Sequence, residues 1–536
     1  MKRSGILLLF GLLLLIFVFP TTAQDDVTLN WGFPADSTTF NTVMQVEAVD
    51  SVLQTFVFPS LYRSDLESGQ PIPNLATWEI SDDGLTYTFT IRDDANWSDG
   101  TPITAQDAVF TLSAIQSESV ETFRAITGLS AINVIDDKTF EIVLEQPTCA
   151  LFSEIGVGIM PAGSFAEDYS DFGTSEFNLG PDVSGGPFIF SERSTDEFLR
   201  FVANDDYFGG RPNIDQIVIQ VIPDSDVRTQ ALQSGSIDYA NLTADQADLL
   251  ANSPNVEVVS YPLNGWIMNM FNLADPASFT PAYDEEGNLV EQAPHPILSD
   301  VRVRQALIMG WDHEDARFLA GEAALPLPGP VTPSLPQYFN SDLEPYPYDL
   351  DAAGALLDEA GWVDSDGDGI RDNEGTPLAL ELLYLNPNED DATLMADYWR
   401  DLGVDTTLTT GEQGAIISDR LVPQNFDMAI IGISWAQPTP DVMLNFLYSS
   451  QNDPGTNFTS FVNEEFDTIL TDLASGSCDP AERQPLYYRV QEIAHEEAIT
   501  DYLYTQVAHV AKTPRLTGIE FTTWGTTPIN EWVLDN

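Results

Sequence analysis

The chain has 536 residues, with 84 Asp+Glu against 20 Lys+Arg, two Cys and a formal net charge of −64. A hydrophobic fraction of 43%, with 30 Phe, 17 Tyr and 10 Trp, is ample for packed cores and excludes global disorder. Two cysteines exclude a disulfide framework or a Cys-rich zinc module, and only three lysines (Lys2, Lys138, Lys512) leave no basic cluster for nucleic acid or an anionic membrane surface.

In chain order, Lys2 and Arg3 precede an apolar stretch from Ile6 to Phe19, followed by Pro20-Thr21-Thr22-Ala23. A basic start, a 14-residue apolar run and small residues at Thr21 and Ala23 predict a secretory signal (residues 1–23) cleaved after Ala23. The run is short for a membrane span of about 20 residues, although an uncleaved N-terminal anchor is the alternative. No cysteine lies near the cleavage site, so lipid attachment there is excluded. Losing Lys2 and Arg3 takes the formal charge from −64 to −66. The expectation is an exported, periplasmic or extracellular protein, whose acidic surface suits salt-rich surroundings because ions screen its self-repulsion.

Past the signal, strand-like and helix-like segments alternate without a repeat. Thr86-Tyr87-Thr88-Phe89-Thr90-Ile91, Thr139-Phe140-Glu141-Ile142-Val143-Leu144 and Ile217-Val218-Ile219-Gln220-Val221-Ile222 read as strands, rich in β-branched and aromatic residues. Thr104-Ala105-Gln106-Asp107 predicts a helix start running through Phe110 and Ala114. Val303, Ala306, Leu307 and Gly310 form a stripe on another helix. Asp351 is expected to cap a third helix carrying Ala352, Leu356, Leu357 and Ala360 on one face and ending at Gly361. Each stripe is most simply core packing. Turn-rich punctuation falls at residues 182–187, five prolines make 326–336 extended loop, and 274–296 reads as a polar insertion.

Several blocks then become recognisable together. Residues 75–89, with Trp78-Glu79-Ile80-Ser81-Asp82-Asp83-Gly84-Leu85, are followed by Ile91-Arg92 and by Trp97-Ser98-Asp99-Gly100-Thr101-Pro102 through Asp107. Gly185-Gly186-Pro187-Phe188, Asn204-Asp205-Asp206-Tyr207-Phe208-Gly209-Gly210, Arg228, Ala231-Leu232 and Gly235-Ser236-Ile237-Asp238 come next in order. Asp300-Val301-Arg302-Val303-Arg304-Gln305-Ala306-Leu307 and residues 348–362 follow. This series resembles the family 5 extracellular solute-binding proteins, the dipeptide, oligopeptide and nickel receptors of ABC importers. The resemblance implies an α/β fold of the periplasmic binding protein-like type, two lobes joined by a hinge plus an extra small subdomain (large cluster C). The implied divisions are 24–64 lobe I, 65–184 small subdomain II, 185–265 lobe I, 266–502 lobe III and 503–536 lobe I, with crossovers near 262–270 and 500–505. It also implies a monomer that buries a small solute between lobes, closes on it by a population shift, and delivers it to a membrane permease without catalysis.

Within the resemblance, Trp435 lies in Ile433-Ser434-Trp435-Ala436-Gln437-Pro438-Thr439-Pro440-Asp441, matching the Trp-led pocket loop. Its indole offers a flat wall and one N–H donor to a peptide plane or a sugar face. Peptide-binding members carry, three residues later, an Asp that pairs with the ligand's α-amine; here that position is Pro438, and Asp441 is the nearest substitute. The resemblance keeps a di- or oligopeptide as the leading ligand, while the loss of this anchor speaks against it and for an oligosaccharide as the alternative. Phe110 matches a pocket-lining aromatic but also reads as helix core. Trp266 and Asn272 lie near the implied hinge, where they either reach the ligand or serve the backbone. Four scattered histidines (His295, His313, His495, His509) disfavour nickel.

Two further features stand outside the resemblance's ligand set. Asp364, Asp366, Asp368 and Asp372 occupy positions 1, 3, 5 and 9 of a calcium-type loop, with Gly369 at 6 and Ile370 offering a carbonyl at 7. Position 12 is Gly375, with Glu374 one residue early, so a structural Ca²⁺ stands against a solvated acidic turn, and no cofactor is required. Cys149 and Cys478 are 329 residues apart and fall by the implied mapping in the small subdomain and lobe III. The expectation is two unpaired thiols. An acidic secreted chain also admits a glycoside hydrolase reading, but no nucleophile elbow, His-Glu-x-x-His or phosphate loop is present.

Overall fold

The computed structural model describes residues 26–535 apart from 45–47, 123, 279–289, 291, 386–387, 436–437 and 449–456. The expected signal and most of the 274–296 insertion therefore lie outside the described residues.

A small four-stranded antiparallel sheet forms one body, ordered Ala76–Ile80, Thr86–Ile91, Thr139–Leu144, Leu129–Val134. Its strands alternate as their sequences require, so that Tyr87, Phe89 and Ile91 face the core together with Phe140, Ile142 and Leu144. Phe89 pairs with Phe140 across the ladder, and their rings stack with centroids 5.1 Å apart. The helix Ala105–Ala114 packs on this sheet and starts in a capping box, with the Asp107 carboxylate accepting from the Thr104 N–H at 2.8 Å.

The larger sheet has ten strands, and its order explains the two-lobed plan. One half runs Asp405–Thr410, Ala379–Tyr384, Met428–Ser434; the other runs Tyr239–Leu242, Thr28–Phe33, Gln216–Val221, Phe198–Ala203, Phe188–Ser194. Between the halves lie two long antiparallel strands, Glu257–Phe271 and Thr500–Lys512. At one end Thr500–Lys512 pairs with Tyr239–Leu242; at the other, Glu257–Phe271 pairs with Met428–Ser434. The register between the two breaks at Pro262–Trp266, where three residues on one strand oppose one on the other. Proline, lacking an N–H, suits this interruption. Gly265 sits inside it because an added Cβ would lie 2.3 Å from the Ile433 carbonyl oxygen and 2.6 Å from the Ser434 Cα.

The apolar residues gather on either side of this crossover. One cluster unites the small subdomain with the Thr28–Phe33 half, from Leu29 and Trp31 to Phe201 and Ile219. Two others fill the second lobe, around Trp266, Tyr448 and Tyr487, and around Trp311, Trp399 and Leu307. The helix Val301–Met309 buries Val303, Ala306 and Leu307 as its stripe requires. The helix Leu350–Glu359 is capped by Asp349, whose carboxylate accepts from the Ala352 N–H at 2.9 Å, rather than by the expected Asp351, which lies in the first turn. Gly361 takes a φ of +93° just beyond its end. Residues 326–336 contain no helix or strand.

Cys149 and Cys478 are joined in a disulfide, with their Cα atoms 5.5 Å apart, which corrects the expectation of unpaired thiols. Cys149 follows the inner strand Thr139–Leu144 of the small subdomain, and Cys478 lies between the helices Glu464–Ser475 and Pro480–Glu496 of the second lobe. The pairing depends on how closely two separately folded bodies approach, a quantity no local pattern encodes.

Candidate ligand-binding site at the lobe crossover

The register break brings a group of aromatic side chains to the crossover. Trp435 follows the strand Met428–Ser434 directly, and its main-chain N–H donates to the Asn264 carbonyl at 2.9 Å, inside the break. Asn264 is fixed from the other side by the Thr332 hydroxyl, 2.8 Å from its Oδ1. The Trp435 ring meets Trp266 edge to face at 4.6 Å, and Trp266 in turn meets Tyr502 at 5.8 Å. Trp266 is fully buried, with its Nε1 directed at the Met268 sulfur. The Tyr502 hydroxyl donates to that of Tyr448 at 2.8 Å, and burial pushes the Tyr448 phenol up to about 12. In contrast to Trp266, the Trp435 Nε1 is buried and has no hydrogen-bond partner among the described residues.

Asp441, six residues on, opens the helix Asp441–Tyr448 and is committed internally. Its carboxylate accepts from Arg483 and from the Tyr487 hydroxyl, both on the helix Pro480–Glu496. Burial raises the Asp441 pKa to about 6 against the lowering pull of Arg483. Arg483, only 2% exposed, also donates to the carbonyls of Leu473 at 2.8 Å and Ser477 at 3.3 Å, and to the Cys149 sulfur at 3.1 Å. Neither Arg483 nor Tyr487 stands out in the sequence. Their i, i+4 spacing on one helix is the signal that finds them only once Asp441 is known to face it. Pro438 is half-buried.

The remaining sequence candidates fall in different places. Phe110 lies in the aromatic core of the small subdomain, 4.8 Å from Tyr169 and 6.0 Å from Phe165. Asn272 is fully buried and bonds backbone: its Nδ2 donates to the carbonyls of Gln424 and Phe426 at 3.0 and 2.9 Å, and its Oδ1 accepts from the Ala274 N–H. Asp364, Asp366 and Asp368 are exposed and bring carboxylate oxygens within 4.8 Å of one another, the one such group of possible metal ligands among the described residues. Asp372 turns instead to the Ser365 N–H and hydroxyl, which hold its carboxyl below the usual range, while the Ile370 N–H donates to Asp368 at 2.8 Å.

The four histidines are dispersed. His295 faces Asp427 at 3.1 Å, His313 faces Asp501 at 2.7 Å, His495 donates through Nδ1 to the Pro328 carbonyl, and His509 meets Ser260 at 2.8 Å. Two cavities, of about 230 Å³ beside His313, Tyr346 and Asp501 and about 880 Å³ beside Trp97, Asp107 and Phe177, lie apart from Trp435.

Two α/β halves joined by paired crossover strands, with aromatic side chains gathered at the junction, define a bilobal binding protein. Residues 70–455 match the family model for bacterial extracellular solute-binding proteins, family 5. The chain belongs to this family of ABC-importer receptors. It is 26% identical to the oligopeptide-binding protein AppA of Bacillus subtilis, covering 91% of this chain and 88% of that protein. It is 29% identical to heme-binding protein A of Haemophilus influenzae (83% and 81% covered) and 26% identical to the nickel-binding periplasmic protein of Escherichia coli (90% and 89%). Among solved structures it resembles B. subtilis AppA in complex with a nonapeptide, with a TM-score of 0.75 at 25% identity over 95% of this chain and 99% of that one. The fold is likewise that of NikA from Brucella suis, with a TM-score of 0.79 over 95% and 100%. Family 5 proteins bind small solutes and hand them to ABC permeases. Among the described residues no helix is long and apolar enough to cross a membrane.

Proposed function

We propose that this receptor captures a di- or oligopeptide at the crossover, against the wall formed by Trp435, and delivers it to its permease. The observation that carries this reading is the buried Trp435 indole N–H beside the hinge strands, which has no partner among the described residues. A buried donor left unmade costs about 1–3 kcal/mol, and a peptide carbonyl is the acceptor that would recover it. The peptide names of AppA and of the dipeptide-binding protein of E. coli support it; the relatives named above carry peptide, heme and nickel in their names, and none an oligosaccharide.

The peptide's amino terminus is not anchored as in the relatives' peptide pattern. Pro438 has no charge, and Asp441 is already taken by Arg483 and Tyr487. Acetylating the N-terminus of a bound peptide therefore costs less than tenfold in affinity, since the charge-assisted bond of about 1.5–3 kcal/mol is absent to begin with. A thermal-shift panel of di- to pentapeptides, oligosaccharides and nickel chelates tests the reading. A native-state ligand at 100 times its Kd adds about 2.7 kcal/mol and raises the melting temperature. Peptide shifts that vanish in Trp435→Ala are the expected result; shifts with sugars alone, or with nickel chelates alone, defeat it.

We propose in addition that Asp364, Asp366 and Asp368 hold a structural Ca²⁺, away from the ligand wall. Calorimetric titration with CaCl2 is expected to show one site that is lost in Asp366→Asn/Asp368→Asn, and a flat titration counts against it.

A further inference from the structure

We propose that the Cys149–Cys478 disulfide is a covalent stop on lobe opening, so that this receptor works through a narrow range of hinge motion and ligand enters a partly closed cleft. The polypeptide passes between the first lobe and the second through Glu257–Phe271 and Thr500–Lys512, which lie side by side in one sheet. Two adjacent strands with a register break between them form a hinge about which the bodies can swing. The disulfide adds a third connection away from that line. Cys149 lies beside Leu151, a member of the small subdomain's apolar cluster; Cys478 follows Leu473, a member of the second lobe's cluster. Each cysteine stands within five residues of its body's core, and the bond between them has a fixed length, so it limits how far the bodies can swing apart.

The stop also reaches the candidate site. Arg483 donates to the Cys149 sulfur with the same guanidinium that holds Asp441, at the start of the helix that follows the Trp435 loop. Lobe position and pocket loop are thus joined through one buried side chain. An opening motion that carried Cys149 away from the second lobe would take one of Arg483's partners with it.

Cys149 is half-buried and Cys478 is exposed, so a reductant reaches the bond. Small-angle scattering on unliganded protein, before and after reduction by a phosphine, tests the proposal without any knowledge of the ligand. A compact chain of this length has a radius of gyration of about 24 Å. Reduction is expected to increase it by roughly 1 Å or more, with far-UV circular dichroism unchanged, and Cys149→Ser/Cys478→Ser is expected to match the reduced protein. An unchanged radius in reduced, folded protein overturns the proposal, as does finding two free thiols by alkylation and mass measurement in protein purified without reductant. Reduction of the wild-type chain keeps the test decisive should the double variant fold poorly. The inference rests on the two-lobed receptor reading but not on the ligand: a receptor that binds no peptide still gives the scattering result.

Discussion

Arg483 concentrates more consequence than any other cation here. It is buried with Asp441, and the pair is held by Tyr487 and two carbonyls. Arg483→Met strands a carboxylate in an apolar setting and is expected to cost about 3–5 kcal/mol in chemical denaturation. Adding Asp441→Asn to that variant should recover much of the loss. Asp391 shows the opposite situation, a buried carboxyl with no cation against it among the described residues and the Tyr504 hydroxyl donating to it at 2.8 Å. Burial raises its pKa to about 6, above the unfolded value near 4, so the native state holds the proton more tightly. Its contribution is intact below pH 4 and is lost as pH rises through 6. Asp391→Asn is expected to abolish that slope and to stabilise the protein at pH 7 by up to about 3 kcal/mol, read from urea denaturation at pH 4 and 7. Nothing in the sequence separates Asp391 from the chain's other 83 acidic residues, since the distinction is burial.

Individual elements were far more legible. The alternating β-branched and aromatic runs at 86–91 and 139–144 are strands with those bounds, because one face of each must enter the core. The Thr104–Asp107 spacing marks a real capping box. The cap at Asp349 rather than Asp351 is a two-residue ambiguity between like side chains, settled by which carboxylate reaches the Ala352 N–H. Trp435 was found through its loop's resemblance, and the structure places it against Trp266; Phe110 reads as core because Phe165 and Tyr169 surround it. The order of strands in the large sheet was not legible, because pairing between residues hundreds apart leaves no local periodicity. The register break is the most sensitive of these elements. Gly265→Ala forces a methyl into the Ile433 carbonyl and is expected to cost about 1–3 kcal/mol by thermal or urea unfolding, with ligand affinity falling further than stability alone predicts.

On the scale of the whole molecule, 84 acidic against 20 basic residues make self-repulsion a steady load. Screening shortens its reach from about 30 Å at 0.01 M salt to about 3 Å at 1 M. The melting temperature is accordingly expected to rise by several degrees across that range of NaCl, and a flat response in calorimetry would show that the surface charge carries little weight. The ten-stranded sheet has a different consequence, one of timing. The strand Thr500–Lys512 sits in its middle, between Glu257–Phe271 and Tyr239–Leu242, yet it is the last long strand to be synthesised. Until residues 500–512 arrive, each half of the sheet presents an unpaired edge to the space that strand will fill. Assembly of both lobes therefore waits on a segment near the end of translation, and a nascent chain halted at residue 499 is expected to show no cooperative melting in either half. A protein wired in this way cannot close its large sheet until its synthesis is nearly complete.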